Sequence, residues 1–437
     1  MKWIKYLRNF LIEFSYNHLD MKIGIPTLRH LNIFLFVIMI YNCSEDPLTS
    51  ELGNNGLNID TLTLSNIDAQ NYNVAPNLGT NERLYLGMKN GLEVPVSFIQ
   101  ISNSPYWTYF FDSTIVVDSL RFIVYSNDSL IDVASTPNLY FQSDSQFDEN
   151  SSTYLDFSGF SNSEWTDLGQ PFLKTNSESD TSSDLFGDYL FTELVWDIDT
   201  LLTVLSDTLD SNQVWSKPDL VRSFAMQLVN SESNFIELFS EEATIGDKDP
   251  KIVMYYRRTY QDSEDSTIVI DTSRIIYSDG DLSIIKPIEI STDTSHISLS
   301  NGMGKRSLIS LQLGESFLPI GSVIRSADLI LSYDTTLTSP AYNVIIDPIE
   351  NDSMYVDSTD VYDFDPFEAI GYPYRVSTDA EKGLCILSIK DILQNITLGN
   401  VDNLGFKLIA NEKNDPFEFI QFEKNNDMRI EIIYVSN

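Results

Sequence analysis

SLISLQLGESFLPIGSVIRSADLILSY, residues 307–333, contains two runs in which apolar and polar side chains alternate, separated by a link with Gly and Pro. Alternation with a period of two residues is typical of strands that bury one face. Similar runs recur along the chain, for example VSFIQIS at 96–102 and RIEIIYV at 429–435. Helical spacing of apolar residues occurs only in TLLTVLSDTL (200–209) and IKDILQNI (389–396). The sequence therefore predicts an all-β chain with two short helices.

The blocks that predict strands occur twice, in the same order. VPVSFIQIS (94–102) corresponds to KRSLISLQL (305–313), and KIVMYY (251–256) corresponds to RIEIIY (429–434). Four further pairs of blocks lie between these two pairs, and only the links between blocks differ in length. Repetition of this kind is the mark of an internal duplication, so the chain is predicted to contain two tandem copies of one fold.

Each copy is predicted to fold as an antiparallel, jelly-roll-like β-sandwich with one short helix. Six or more short strands without crossover helices bury their apolar faces most readily between two packed sheets. The first copy spans about 57–258 and the second spans 266–437. The first copy also carries an insert at about 126–190 that is rich in Ser, Asp and Asn, and we predict a long loop there.

The stretch FLFVIMIYNCSED (34–46) is an apolar run that stops at a cysteine and turns acidic. A basic segment, a short apolar run and a processing point are the order of a secretory signal. Residues 1–42 are therefore predicted to be a signal peptide, and 1–20 are a candidate start-site artefact because a second Met stands at position 21. Residues 43–56 would form a tether. A plain cleaved signal and a buried apolar strand are the alternatives.

The end of that stretch resembles a bacterial lipoprotein signal, in which the residue after cleavage is a cysteine that receives lipid. Ile40 and Cys43 match this pattern, whereas Asn42 stands where a small residue is usual. The acidic residues Ser44–Asp46 resemble the signal that sends some Bacteroidetes-type lipoproteins to the outer face of the outer membrane. The resemblance implies a membrane anchor at Cys43 and exposure at the cell surface.

Acidic side chains dominate the charge of the chain. It carries 64 Asp and Glu against 27 Lys and Arg, a formal net charge of −37. Removal of residues 1–42 would take away five cations and two acids and leave −40. Such a charge repels phosphate backbones, so nucleic acid is not expected as a partner. Sulfated or uronate-rich polysaccharides would also be repelled unless calcium bridges the charges.

Four segments together resemble the DNRLRE-type domain of bacterial cell-surface proteins. They are PNLGTNERLYLGMKNG (76–91), the quoted stretch 307–333, and the two tails at 224–256 and 404–434. The resemblance covers most of both copies. It implies a non-catalytic sandwich that often assists glycan binding or attachment at the surface. Because one fold hosts many functions, it implies a class of protein and no particular ligand.

Few residues in the chain could carry catalysis. Outside residues 1–42 the sole histidine is His296, and no G-x-S-x-G elbow is present to supply its serine partner. Cys385 lies in the apolar run GLCILSI, which is typical of a buried thiol. One His and one Cys do not make the usual zinc site. We therefore predict no enzymatic activity, with a polysaccharide-cleaving enzyme that uses two carboxylates as the remote alternative.

Two stretches are candidates for binding. YVDSTDVYDFDPFE (355–368) offers four aspartates that could hold a structural calcium ion, although the EF-hand spacing is absent. These are Asp357, Asp360, Asp363 and Asp365. SPYWTYFFD (104–112) offers aromatic rings that could stack on sugars, and the alternative is a cap that fills the core. The binding candidates there are Tyr106, Trp107 and Tyr109, whereas Phe110 and Phe111 are expected in the core.

Two functional hypotheses follow for this predicted cell-surface protein. The first is binding of extracellular polysaccharide or an accessory role in a surface assembly, which exposed, coplanar Tyr106 and Trp107 in a groove would favour. The second is a structural or adhesive protein that binds another protein. An exposed sheet edge in the second copy, or coupling between the copies, would favour the second hypothesis.

Overall fold

The described part of the chain comprises one compact unit, Thr61–Tyr434, together with a few flanking residues. The predicted signal peptide (1–42), Cys43 and the tether (43–56) lie outside it. The computed structural model describes residues 58–101, 104–126, 131, 135–142, 147–157, 161–176, 191–205, 222–230, 234–244, 247–262, 266–287, 295–314, 317–336, 342–351, 360–424 and 428–436.

Strands make up most of the described residues, which confirms the prediction of an all-β fold. The strands are β1 (Asn58–Leu64), β2 (Ile67–Val74), β3 (Arg83–Lys89), β4 (Leu92–Ile101), β5 (Ile115–Ser126), β6 (Pro137–Gln142), β7 (Thr166–Gly169), β8 (Phe172–Asn176), β9 (Phe191–Asp197), β10 (Arg222–Leu228), β11 (Phe235–Phe239), β12 (Lys251–Gln261), β13 (Thr267–Tyr277), β14 (Gly280–Pro287), β15 (His296–Leu299), β16 (Lys305–Leu311), β17 (Val323–Ser332), β18 (Tyr342–Pro348), β19 (Val361–Tyr362), β20 (Val376–Ala380), β21 (Leu384–Ser388), β22 (Phe406–Ala410), β23 (Ile420–Glu423) and β24 (Arg429–Ser436).

Two short helices form where the apolar spacing predicts them. They are α1 (Thr200–Leu205) and α2 (Lys390–Thr397), one in each copy. In α2 the side chains of Ile392 and Leu393 are buried, so the helix closes one end of the second core. The described residues also contain 3₁₀ helices at Pro105–Phe111 and Asn162–Glu164.

The first sandwich consists of two sheets with an apolar core between them. Sheet 1 has the order β11-β3-β4-β10-β6-β7, with β14 also paired to β4, and sheet 2 has the order β13-β12-β5-β9-β8. Every pairing between neighbouring strands of these two sheets is antiparallel. Phe122 of sheet 2 stacks on Phe224 of sheet 1 with ring centroids 4.6 Å apart, and both rings are fully buried.

The second sandwich repeats this plan. Sheet 3 has the order β19-β2-β16-β22-β18-β20, sheet 4 has the order β1-β24-β17-β21, and β15 pairs with β23 beside them. Its core contains Leu329 and Ile430 from sheet 4 and Ile309 and Leu408 from sheet 3. Cys385 of β21 belongs to the same core.

The two copies exchange their first hairpins, so the first sandwich is the continuous segment β3–β14 and the second sandwich combines β1 and β2 with β15–β24. Strands β1 and β2, which the sequence assigns to the first copy, pair with β24 and β16 of the second sandwich. Strands β13 and β14 precede the second copy's core strands but pair with β12 and β4 of the first sandwich. The copy boundaries predicted at 57–258 and 266–437 therefore differ from the boundaries of the sandwiches. The physical reason is that β2 and β14 pair with strands far away in the sequence, which local patterns do not reveal.

The insert at 126–190 is not only a loop. It contributes β6, β7 and β8 to the two sheets of the first sandwich. Its residues 147–157 and 161–165 also cover the outer face of sheet 1, where Phe147, Phe157 and Trp165 surround Phe98 with centroid distances of 4.8–5.9 Å. The polar composition of the insert conceals these few aromatic residues, which bury a second face of the sheet.

A small interface joins the two sandwiches. Phe417 of the second sandwich is fully buried between Tyr85 and Phe235 of the first, with ring centroids 5.0 and 4.8 Å away. The Lys89 ammonium lies 5.1 Å from the Phe417 ring and 3.1 Å from the Asp415 carboxylate. The two copies are therefore coupled both by exchanged strands and by an apolar contact.

Candidate functional site

The aromatic stretch of the first copy forms the 3₁₀ helix Pro105–Phe111. Ser104 begins it, because its side-chain oxygen accepts a hydrogen bond from the Tyr106 N–H at 3.2 Å. Trp107 is fully buried, with the Arg222 guanidinium 4.0 Å from its ring. The prediction that Trp107 is a sugar-stacking residue is therefore wrong, because its ring has no exposed face.

The two tyrosines of this 3₁₀ helix are half-buried. Their ring centroids are 5.5 Å apart and their planes are inclined by 68°, so Tyr106 and Tyr109 do not form a flat platform. Tyr109 also packs edge-on against Tyr256 at 5.0 Å, and Arg274 lies 5.7 Å from the Tyr106 ring. The segment acts mainly as a cap on the first core, which was the alternative reading of the sequence.

The predicted calcium loop is only partly described. Asp357 lies outside the described residues, and Asp360 and Asp363 are exposed. Asp365 instead forms ion pairs with Arg306 and with Lys407, the latter at 3.1 Å. Burial disfavours its charge, but these two cations hold the pKa of Asp365 below its ordinary value. Since two cations already neutralise Asp365, the described part of this loop does not form the predicted cluster.

His296 and Cys385, the two residues considered for catalysis, have the surroundings of residues with a structural role. His296 begins β15, with its Nε2 atom 3.6 Å from the Glu423 carboxylate and its Nδ1 atom 2.9 Å from the Ser295 hydroxyl. Cys385 is fully buried, and burial raises the pKa of its thiol to about 12. A thiol with that pKa is not a nucleophile at neutral pH.

A polar groove of about 270 Å³ lies beside the link between β2 and β3. Asn81 and Asn301 line it together with three cations, Lys305, Arg306 and Arg375. The Arg375 side chain is half exposed and its Nε atom donates to the buried Asp347 at 2.6 Å. Amide and guanidinium groups of this kind can donate to the hydroxyl or carboxylate groups of one sugar residue.

Strand β13 forms an exposed edge of sheet 2. It is 11 residues long and pairs with β12, which lies on one side of it. Four of its apolar side chains are 39–56% exposed, namely Val269, Ile270, Ile275 and Tyr277. Edge strands are usually short or interrupted by charged residues, because their free N–H and C=O groups otherwise pair with another chain. β13 carries only Asp271 and Arg274 as charged residues.

Three carboxylates of the first sandwich lie close together. They form a cluster that the sequence did not predict. Oxygen atoms of Glu149, Glu242 and Asp281 all lie within 4.8 Å of one another. Among the described residues, no other group of three or more acidic, His or Cys side chains meets this condition. The three residues come from the insert, the turn after β11 and the exchanged strand β14. Only long-range folding brings them together, so no local spacing could have revealed them.

The electrostatics of this cluster are unusual. Burial and then the charge of Glu242 raise the pKa of Asp281 well above its ordinary value. Burial also raises the pKa of Glu242, and burial with the Glu242 and Glu149 charges raises that of the neighbouring Glu241 to about 7. The cluster thus concentrates negative charge without a compensating ion pair in the described residues.

No protein-family model, curated protein or solved structure matches the chain. The described residues contain no helix with the length and apolar character needed to cross a membrane.

Proposed function

We propose that the chain is a non-catalytic, lipid-anchored cell-surface protein whose coupled sandwiches present β13 as a docking edge for an extended strand of another surface protein. The observation that carries the proposal is the long, apolar and exposed edge of β13. Addition of a strand to such an edge satisfies backbone hydrogen bonds along its length and buries its exposed side chains.

A different protein suits this edge better than a second copy of the chain. The whole chain carries a formal net charge of −37, so two molecules that dock edge to edge would repel each other over their whole surfaces. A basic partner would be attracted instead.

The coupling between the sandwiches supports a structural role. The first sandwich, β3–β14, lies in the chain between β2 and β15 of the second, so two chain connections join the sandwiches instead of one. The buried contact of Phe417 adds a second link. A stiff pair of domains on a lipid anchor at Cys43 would hold the docking edge at a defined place on the outer face of the outer membrane.

Binding to envelopes prepared from host cells that lack the chain tests this proposal. The soluble chain carrying Cys43→Ser is added to untreated envelopes, to protease-treated envelopes and to envelopes digested with polysaccharide-degrading enzymes. We expect binding that is lost after protease treatment and kept after polysaccharide digestion. The double variant Val269→Lys/Ile275→Lys should lose it, because lysine on an edge strand opposes strand addition.

A matched control is the substitution Val323→Lys, at a residue that is 60% exposed on sheet 4. This variant should bind as the parent chain does. Binding that survives protease treatment, or that the β13 double variant retains in full, would contradict the proposal.

A second candidate function is recognition of a sugar in the polar groove of the second sandwich. The observation in its favour is that a polar volume of about 270 Å³, lined by the Asn81 and Asn301 amides, suits one sugar residue of a polysaccharide. A glycan array distinguishes it: binding that falls at least tenfold in Asn81→Ala and not in Val269→Lys/Ile275→Lys would support the groove. Absence of binding to every glycan would exclude it.

A further inference from the structure

The cluster of Glu149, Glu242 and Asp281 contains buried oxygen atoms that have no hydrogen-bond partner. Asp281 is 1% exposed, and its Oδ2 atom accepts from the Glu241 N–H at 2.7 Å, while its Oδ1 atom has no partner. Glu242 Oε2 is also buried and without a partner. Buried carboxylates are normally paired with a cation or bound to a metal, because an isolated charge is costly to remove from water.

The geometry of the cluster suits a hard cation. Glu149 is oriented by its Oε1 atom, which accepts from the Asp281 N–H at 2.8 Å, so the chain itself holds the two carboxylates together. Calcium binds carboxylate oxygens at about 2.3–2.6 Å, and two of its ligands on opposite sides are therefore up to about 5 Å apart. The three carboxylates lie within 4.8 Å of one another, which fits this range.

The ligand atoms of the cluster also indicate which metal ion it would bind. All three side chains offer oxygen, which calcium prefers, and none offers the nitrogen or sulfur that zinc and copper prefer. An acidic cavity of about 670 Å³, lined by Glu149, Asp148, Asp156 and Asp279, adjoins the cluster. This cavity gives a cation a route from solvent and leaves room for the water molecules that complete its coordination.

We propose that Glu149, Glu242 and Asp281 form a calcium site that locks the exchanged hairpin onto the first sandwich. Glu149 belongs to the segment that covers sheet 1, Glu242 follows β11, and Asp281 belongs to β14. One ion bound to all three would cross-link the insert, the core of the first sandwich and the exchanged strand. This site is independent of the docking edge at β13.

Calorimetric titration of the metal-depleted, purified chain with CaCl₂ at physiological ionic strength tests the site. The salt screens weak binding to the acidic surface, so a saturable signal reports a built site. We expect one calcium ion per chain. At a free concentration 100-fold above Kd, the melting temperature should rise by about 3–5 °C, because the ion binds only the folded state.

Asp281→Asn and Glu242→Gln should each abolish the calcium-dependent rise. Asp281→Asn should melt, without calcium, no lower than the parent chain, since the substitution replaces a buried acid that faces two other carboxylates without a cation. This readout separates loss of the site from loss of the fold. The matched control is Asp360→Asn/Asp363→Asn, which removes two exposed aspartates and should leave the titration unchanged.

Three results would overturn the proposal. They are no saturable calcium signal in the parent chain, an unchanged signal in Asp281→Asn, and loss of the signal in the Asp360→Asn/Asp363→Asn control. An equal response to MgCl₂ would overturn the assignment to calcium, because magnesium requires a smaller octahedral site.

Discussion

At the scale of single residues, Asp365 joins several strands of the second sandwich. Its carboxylate pairs with Arg306 of β16 and with Lys407 of β22, and it accepts a hydrogen bond from the Tyr72 hydroxyl of β2 at 3.2 Å. It also accepts from the Phe367 N–H at 3.0 Å. The residue that the sequence suggested as a calcium ligand therefore holds the exchanged strand β2 in sheet 3.

Asp365→Asn should lower the free energy of unfolding by about 3 kcal/mol at pH 6, because it leaves Lys407 buried without its anion. The folded-state pKa of Asp365 lies below the ordinary value of about 3.9. Its stabilising effect is therefore complete above that ordinary value and is lost as the pH falls toward the folded-state pKa.

Urea denaturation of the parent chain and of Asp365→Asn at several pH values measures this difference. The two curves should converge below pH 4. The exposed substitution Asp363→Asn is the control and should follow the parent chain at every pH. A difference between Asp365→Asn and the parent chain that stays constant down to pH 2 would disprove the role of this ion pair.

At the scale of elements, the exchanged strand β14 is held by a buried hydroxyl pair as well as by its ladder with β4. Ser283 Oγ accepts from the Tyr85 N–H at 2.8 Å and lies 2.9 Å from Ser97 Oγ. Ser97 Oγ in turn donates to the Tyr85 carbonyl. All three residues are buried, so one buried hydrogen-bond network joins the strands β3, β4 and β14.

Ser283→Ala should cost about 1–3 kcal/mol of stability, because the Tyr85 N–H is then buried without an acceptor. Ser273→Ala, on the exposed face of β13, is the control and should stay within 0.5 kcal/mol of the parent chain, on the order expected for surface changes. Chemical denaturation measures both. Equal stabilities for Ser283→Ala and Ser273→Ala would mean that this hydrogen-bond network does not hold the hairpin.

At the scale of the whole molecule, the order of strands in the chain and the Phe417 interface couple the two sandwiches. The first sandwich, β3–β14, lies in the chain between β2 and β15 of the second, so its unfolding would turn the connection that holds β2 near β15 into a long flexible loop. Two tandem domains that were merely linked would unfold separately. Residues Thr61–Tyr434 are instead expected to unfold together.

Differential scanning calorimetry should show one transition for the parent chain. Phe417→Ala should lower its midpoint, with a cost of about 3–5 kcal/mol for truncation of a fully buried ring. Phe364→Ala, at a ring that is 70% exposed, is the control and should leave the midpoint nearly unchanged. Two separate transitions in the parent chain, of which Phe417→Ala moves only one, would contradict this coupling.

Local patterns in the sequence account for the strands and helices. Alternation in VSFIQIS and SLISLQL is enough to predict β4 and β16, and apolar spacing is enough to predict α1 and α2, because these signals depend on near neighbours. Composition concealed the aromatic residues through which the insert covers sheet 1.

Properties that depend on distant partners could not be read in this way. The exchange of hairpins is invisible because β2 and β14 pair with strands far away in the sequence. The buried position of Trp107 follows from the packing of Arg222, which is 115 positions away in a different strand. The carboxylate cluster combines residues from three remote segments.

Site-specific photocrosslinking on living host cells tests most directly whether β13 is a docking edge. A photoreactive side chain is placed at Ile275 of β13 and, for comparison, at Ile320, which is 97% exposed in the second copy. We expect a discrete protein adduct from position 275 and none of that size from position 320. No protein adduct from position 275, or the same adducts from both positions, would contradict it.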